Sequence, residues 1–273
     1  MACVALAALI AAPAARSLAA DPPALPVEAP VLDKEKGARA VAAYRKALRG
    51  LCAQLRSKRG GDPEARLRTL GLEGVDAEQL CADAGKAATS FASGALLESG
   101  RDEVLLDVFT GRSAQTGASL AVMRDDGKGY RLVRHILDAA RFEARLRLVT
   151  PGRRDILFIC EYRGLGGLYP GDCGFLGSRG LGEGVALLDA GLACGEFSSI
   201  SVGKTAVRGD RLTVELVLRE MVRKPGRNRP DGDCRIEEER VRRSFDIDYK
   251  FDGKTFRRVT PTPRAVQDVL DKG

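Results

Sequence analysis

The sequence has little of the chemistry that usually marks a metal site or an imidazole-based enzyme. Only one of its 273 residues is a histidine, His135, and there is no tryptophan. It has seven cysteines, but no two of them stand in the C-x-x-C spacing that holds structural zinc. We therefore expect no metal ion and no cofactor, and any catalytic use of an imidazole depends on His135.

The sequence also lacks long apolar runs, and its most apolar segment is a short one at the beginning. Residues 2 to 15 carry no charge, and Ser17 and Ala19 occupy the small-residue positions that signal peptidase reads. A run of about 14 residues, rising about 1.5 Å per residue, does not cross a hydrocarbon core of roughly 30 Å. We interpret residues 1 to 19 as a signal peptide. The alternative, a buried alanine-rich helix, is disfavoured by Pro13 and the prolines that follow.

A signal peptide predicts a periplasmic or secreted protein with no membrane span after processing. Processing would remove Cys3, and an even number of cysteines in an exported chain indicates disulfides, because an oxidising compartment lets them persist. The six cysteines that remain are Cys52, Cys81, Cys160, Cys173, Cys194 and Cys234. The sequence does not fix their pairing, but Cys52 and Cys81 fall on neighbouring predicted helices and we expect them to pair.

The charge balance gives little indication of a partner. Processing removes Arg16 alone among the charged residues, so the net charge falls from +7 to +6. Nucleic-acid binding favours a clustered basic face with stacking aromatics, whereas this chain has nine Phe, five Tyr and no Trp. We therefore expect no nucleic-acid partner; an envelope component is the partner that export suggests.

Helical patterns dominate the first part of the chain. Residues 20 to 32 form a proline-rich linker, and a helical subdomain is predicted over residues 33 to 100. Asp33, Asp62 and Asp76 stand where their side chains can cap the first turns of three successive helices. Apolar residues at spacings of three and four give the first helix one apolar face: Val41, Tyr44, Leu48, Leu51 and Leu55.

The pattern then changes to alternation, which predicts an antiparallel β-meander over residues 101 to 261 and a short helix over residues 262 to 273. Apolar and polar residues alternate from Leu212 to Leu218 and again from Phe245 to Phe251. Strands that follow one another through turns do not make a parallel βαβ sheet. The predicted fold class is therefore α+β, with the helical subdomain packed on the meander.

Two segments of the meander share a hairpin pattern, and this pattern carries a resemblance. Residues 126 to 133 and 252 to 259 match at Asp, Gly, Lys, aromatic, Arg and Val positions, through common turn chemistry or through a duplicated unit. They resemble the repeat hairpins of FG-GAP and related β-propeller proteins, and residues 102 to 109 resemble the opening strand of uncharacterised exported bacterial proteins. Calcium-binding members carry a D-x-D-x-D-G loop. Here Arg235 and Lys250 occupy its third ligand position, so the resemblance implies no calcium site and no particular function.

Gly164 to Gly184 is the most unusual segment, with nine glycines. We interpret it as a long connection without secondary structure. Loops of this length are often functional. One alternative is a flexible ligand loop, and the other is an inert surface connection held by Cys173. The possible ligand-contacting residues of the loop are Tyr169, Phe175, Ser178 and Arg179.

No catalytic motif is complete. Ser178 lacks the G-x-S-x-G elbow, and Gly203-Lys204-Thr205 lacks the first glycine of a phosphate loop. Acidic residues such as Asp107, Glu161 and Glu215 could form a carboxylate pair for sugar cleavage only if the fold brings them together. No catalytic residue is therefore assigned.

The sequence favours an exported, non-catalytic protein that binds or scaffolds at the cell envelope, and leaves enzymatic activity undecided. The alternative is a secreted hydrolase that uses carboxylates or the pair Ser178 and His135. A cleft with convergent carboxylates would favour the hydrolase, and a flat charged surface would favour binding.

Export can be tested on the secreted protein. The mature chain should begin at Ala20 or Asp21, because Ser17 and Ala19 fit the recognition positions of signal peptidase. The intact mass of the soluble exported protein measures this directly. A mass that retains residues 2 to 19 would remove the argument for export and most of the argument for disulfides.

Overall fold

The computed structural model describes residues 24–57, 62–82, 88–110, 117–164, 169–178, 180–189, 195–225 and 234–272. In these residues it contains four helices and two antiparallel sheets. The helices are α1 (Lys34–Arg56), α2 (Pro63–Thr69), α3 (Ala77–Ala82) and α4 (Arg264–Leu270). No helix in the described ranges combines the length and the apolar character that a membrane crossing needs.

The small sheet has four strands in sequence order, and the large sheet has nine. The small sheet comprises β2 (Ala88–Gly94), β3 (Glu103–Phe109), β4 (Ala118–Asp125) and β5 (Tyr130–Ala139). The large sheet runs from β1 (Val27–Ala29) to β6 (Arg141–Val149), β7 (Ile156–Tyr162), β8 (Tyr169–Gly177), β9 (Gly180–Asp189), β10 (Gly195–Arg208), β11 (Arg211–Pro225), β12 (Cys234–Phe251) and β13 (Phe256–Arg258). This α+β arrangement with a C-terminal helix is the predicted fold class.

The helices begin at the predicted capping residues. The Asp33 carboxylate accepts hydrogen bonds from the backbone N–H groups of Glu35 and Lys36, and Asp62 accepts one from Glu64. A disulfide joins Cys52 of α1 to Cys81 of α3, which is the pairing that the sequence favours. The bond ties α3, which at six residues is too short to be stable alone, to the longer helix α1.

The helices share one core with the small sheet and do not form a separate helical unit. Tyr44 and Leu48 of α1 pack with Val104 and Leu106 of β3. Strand β2 lies inside the range 33 to 100, where only helices were expected, because its small and polar residues lack a clear alternation. A four-stranded sheet with one apolar face needs a cover, and α1 provides it.

The two sheets enclose a second core. The face of the small sheet opposite the helices presents Leu105, Leu120 and Val122, which pack with Leu157 and Ile159 of β7. The molecule is therefore a stack of three layers, with helices on the small sheet and the small sheet on the large one. This explains why all of the residues from Ile156 to Tyr162 are buried, as a central strand requires.

The large sheet curls around a third core and returns toward itself. Phe175 of β8 contacts the rings of Tyr249 and Phe256, which come from β12 and β13. Glu183 of β9 accepts a hydrogen bond from the backbone N–H of Arg258, and this bond is the main cause of the lowered pKa of its carboxyl. These contacts bring the last strand beside β9.

The glycine-rich segment is not the long connection that the sequence suggested. Its described residues form β8 and β9, which pair directly from Tyr169↔Asp189 to Gly177↔Gly180. The glycines let the backbones approach: a methyl group at Gly174 would lie 2.8 Å from the Gly182 carbonyl oxygen, and one at Gly184 would overlap the Cys173 carbonyl. The interpretation as a loop was wrong because glycine served close approach here and not flexibility.

Two other strands escaped the alternation analysis. β1 lies inside the expected linker of residues 20 to 32, where three of its residues pair with Arg147, Leu148 and Val149 of β6. β10 is rich in small polar residues and carries a bulge between Val202 and Thr205. Both strands are defined by the neighbour they pair with, which a local pattern does not reveal.

One buried ion pair joins the two sheets. Asp155 is 3% exposed, and its carboxylate accepts hydrogen bonds from Arg147 Nε at 2.8 Å and from the Ala95 backbone N–H at 3.1 Å. Ala95 directly follows β2 of the small sheet, whereas Arg147 belongs to β6 of the large sheet. Arg147 also donates to the Pro30 carbonyl oxygen at 3.1 Å, so it fixes the N-terminal segment as well.

Replacing Asp155 with Ala should lower the free energy of unfolding by about 3 kcal/mol, because the partly buried Arg147 guanidinium and the Ala95 N–H lose their partner. The matched control is Glu143→Ala on β6, which breaks the more exposed ion pair with Arg145 and should cost less than about 1 kcal/mol. Urea unfolding followed by circular dichroism gives both values. Equal losses for the two variants would show that Asp155 does not join the sheets.

Candidate functional site

A cleft opens where the two sheets separate. The chain passes from β5 to β6 at Ala139 and Ala140, where the Ala140 N–H donates to the Tyr162 carbonyl oxygen at 2.7 Å. Beyond this crossing, the end of β5 and the face of β7, β8 and β9 that is turned toward the small sheet line a cavity of about 530 Å³. Its charged lining residues are Asp138, Glu161, Arg163 and Asp172. We call this cavity the acidic cleft.

The register of β7 and β8 brings the central charges of the cleft together. Glu161 lies directly opposite Asp172, so the two side chains project from the same face of the sheet. Glu161 is 3% exposed, and the Arg163 guanidinium donates a hydrogen bond to it, which raises the pKa of Arg163. The same guanidinium nitrogen lies 3.7 Å from Asp172 Oδ2. The lining thus combines three carboxylates with one cation.

The backbone of β9 forms one wall of the acidic cleft. Gly180, Gly182 and Gly184 line it, and the absence of their side chains keeps it open to the strand backbone. Opposite them, Leu137 has a positive φ of 54°, which is uncommon for a residue with a side chain. Backbone conformations of this kind concentrate at ligand sites, and this one lies directly before Asp138.

The possible ligand loop lines a different cavity. Phe175 and Ser178 contribute to a hollow of about 570 Å³ beside the tip of the β8–β9 hairpin, together with Arg154 and Arg257. Phe175 is only 5% exposed and packs in the third core, so its role there is structural. Arg179 and the side chain of Tyr169 lie outside the described residues.

Ser178 and His135 do not form a catalytic pair. The His135 ring lies against Tyr44 of α1 and shares a hydrogen bond of 2.9 Å with the Ser119 hydroxyl, so it faces the helices. The preceding residue, Arg134, reaches the Ser178 carbonyl oxygen from the opposite face of the strand. The Ser119 and His135 pair is itself 1% and 5% exposed, which leaves a substrate no access to it.

The three carboxylates that the sequence singled out do not meet. Asp107 belongs to the small sheet, and burial raises the pKa of its carboxyl. Glu215 lies on β11, where the Lys204 backbone N–H at the β10 bulge donates to it and lowers its pKa. Glu161 alone reaches the acidic cleft, and its neighbours there, Asp138 and Asp172, were missed. Gly203-Lys204-Thr205 is part of the bulged strand β10.

The remaining cysteines support a covalently linked fold. Cys160 and Cys173 are bonded to each other across β7 and β8, next to Glu161 and Asp172. Cys234 is also disulfide-bonded, while Cys194 lies outside the described residues. Among the residues that the structure describes, no group of three or more metal-ligating side chains is suitably placed for an ion. Asp231 and Asp233, the acidic residues before Arg235 in the segment compared with the calcium loop, are not among those residues.

The chain matches no protein-family model, and its comparison with curated proteins and with solved structures gives no significant match. The resemblance to FG-GAP hairpins therefore stays a prediction. Function has to be argued from the acidic cleft and the surface of this chain.

Asp107 offers a test of the electrostatics of the small sheet. Because burial raises its pKa, the folded state holds the Asp107 proton more tightly than the unfolded chain does, and the charged form lowers stability at neutral pH. Asp107→Asn should therefore increase the free energy of unfolding at neutral pH. The gain should shrink as the pH falls through the raised pKa.

Glu215→Gln is the matched control, and it should instead decrease the free energy of unfolding at neutral pH. Hydrogen bonding lowers the pKa of Glu215, so its contribution to stability is present above the ordinary carboxyl value and is lost as the pH falls through the lowered pKa. Urea unfolding at neutral pH and at about pH 4 gives the comparison. A loss of stability for Asp107→Asn at neutral pH would contradict burial as the dominant effect.

Proposed function

We propose that this chain is an exported binding protein that takes a cationic group, an ammonium or a guanidinium, in the acidic cleft. One observation carries the proposal: three carboxylates and a single guanidinium line one cavity between the sheets. Ligand sites are typically cavities of several hundred Å³ with a few convergent polar groups. The volume of about 530 Å³ falls in that range.

The carboxylates of the acidic cleft differ in how accessible they are to a ligand. Glu161 is buried and already accepts from Arg163, so it positions the guanidinium and adds to the negative field. The side chain of Asp172 is 49% exposed and lies at the longer distance of 3.7 Å from Arg163. Asp172 is therefore the carboxylate that can accept a charge-assisted hydrogen bond from a ligand with the least rearrangement.

Binding agrees with the geometry better than hydrolysis does. Acid–base cleavage by two carboxylates needs one of them to carry a proton that it gives to the leaving group. In the acidic cleft the Arg163 guanidinium contacts both Glu161 and Asp172, so it already occupies the Glu161 oxygen that a leaving group would need to approach. The serine and histidine route lacks an accessible pair, as the positions of Ser178 and His135 show.

Export is supported by the cysteines. The Cys52–Cys81 and Cys160–Cys173 bonds and the bonded Cys234 involve five cysteines of the chain. Disulfides in such number are typical of proteins that work outside the cytoplasm. A periplasmic or secreted location would expose the acidic cleft to cationic groups of envelope components, including basic polypeptide segments.

The proposal is tested by calorimetry with trilysine and triglutamate peptides. Trilysine should bind and triglutamate should not, and binding should weaken with added salt, because the interaction is between charges. Asp172→Asn should weaken trilysine binding about tenfold, or about 1.4 kcal/mol, because one charge-assisted hydrogen bond is lost.

The control variant is Asp268→Asn, which removes an exposed carboxylate on α4, away from the cleft. It should bind trilysine as the unmodified protein does. The proposal fails if trilysine does not bind, or if both variants weaken binding equally.

A further inference from the structure

A three-stranded arm extends beyond the core of the large sheet. The third core includes Leu218 of β11, and Phe245 of β12 packs against it. Past these residues, β11 continues to Pro225 and β12 begins at Cys234. We call residues 195–199, 219–225 and 234–244 the arm. Its residues from 237 to 240 and from 242 to 244 are all exposed.

One edge of the arm has no neighbouring strand among the described residues. β12 pairs with β11 along one side from Cys234 to Lys250, whereas β13 pairs with its other side only at residues 249 to 251. The N–H groups of Val259 and Thr260 extend this contact as far as the Asp248 carbonyl oxygen. Within the described part of the chain, residues 234 to 247 therefore present backbone donors and acceptors along an open edge, which is a template for another strand.

The sequence of this edge is complementary to itself. Glu238 and Glu239 are followed, after two residues, by Arg242 and Arg243. In an antiparallel pair of identical strands centred between Arg240 and Val241, Glu239 faces Arg242 and Glu238 faces Arg243. These two pairs, each repeated by the twofold axis, give four ion pairs. A parallel alignment in register would place Glu against Glu and Arg against Arg, which is unfavourable.

A bulge at Arg240 makes this alignment geometrically consistent. The register with β11 passes from Val241↔Glu220 to Glu239↔Met221, so Arg240 is an extra residue. In a regular strand, residues three positions apart point to opposite faces. The bulge adds one residue and so reverses the alternation of side chains between the two faces. Glu239 pairs with Met221 and Arg242 pairs with Arg219. Met221 and Arg219 lie on one face of β11, so Glu239 and Arg242 share a face as well.

The same holds for the second pair of charges. Glu238 opposes Val222 and Arg243 opposes Leu218, two residues on the other face of β11. Each glutamate therefore shares a face with the arginine that it would meet on the second strand. An uninterrupted β12 could not satisfy this condition for either pair.

We propose that a second copy of this chain pairs with β12 edge to edge and antiparallel, so that the two arms form one continuous sheet in a symmetric dimer. The contact is isologous, because each copy contributes the same residues. Existing contacts on the arm do not prevent it. Arg240 pairs with Glu238 and Glu196, but all three side chains are 46% to 70% exposed, and such pairs exchange at little cost.

The test uses two charge-reversal variants that repel themselves but attract each other. One carries Glu238→Arg with Glu239→Arg, and the other carries Arg242→Glu with Arg243→Glu. Sedimentation equilibrium across the micromolar range should show a dimer for the unmodified protein. Each variant alone should dimerise at least about tenfold more weakly, and an equimolar mixture should recover a one-to-one heterodimer.

Recovery in the mixture also shows that both variants are folded, and circular dichroism of each variant confirms it separately. The matched control is Arg264→Glu with Asp268→Arg on α4, which reverses exposed charges away from the arm and should leave the dimer unchanged. The proposal is overturned if the unmodified protein stays monomeric, if the variants dimerise as well as it does, or if the mixture does not associate.

Discussion

The carboxylate of Asp155 is the point on which the arrangement of the two sheets depends. A buried charge is costly unless its hydrogen bonds are satisfied, and here one oxygen accepts from Arg147 and from the Ala95 backbone. The approach requires glycine at position 94, because a Cβ there would overlap that same oxygen. The sheets are joined here and again at the β5–β6 crossing, and each sheet contributes a wall of the acidic cleft.

Much of the fold could be predicted because its signals are local. Asp33 and Asp62 cap helices within a few residues, and the alternation from Leu212 to Leu218 identifies a strand without knowledge of its partner. The Cys52–Cys81 bond followed from two neighbouring helices. Asp126 and Asp252 each precede glycine in a turn of the same form, in which the Asp N–H donates to the residue three positions later.

The acidic cleft could not be predicted because its residues meet only through register. Asp172 faces Glu161 because residues 169 to 177 form strand β8 beside β7. The sequence did not predict β8, because the glycines that allow the strands to approach were interpreted as part of a loop. Asp138 arrives from the other sheet. One signal was available in the sequence: Glu161 follows five consecutive apolar residues, a run typical of a central strand, and a charge in such a strand needs a partner.

The open edge of β12 has a related physical origin, the unequal lengths of neighbouring strands. β12 has 18 residues and β11 has 15, whereas β13 has three, so β12 outruns the strand that covers its other side. Charged residues on such an edge usually prevent indiscriminate pairing. Because the bulge at Arg240 places Glu238 and Glu239 on the same faces as Arg243 and Arg242, the charges that repel most strands attract one antiparallel copy. The arrangement that protects the edge from aggregation thereby also specifies its partner.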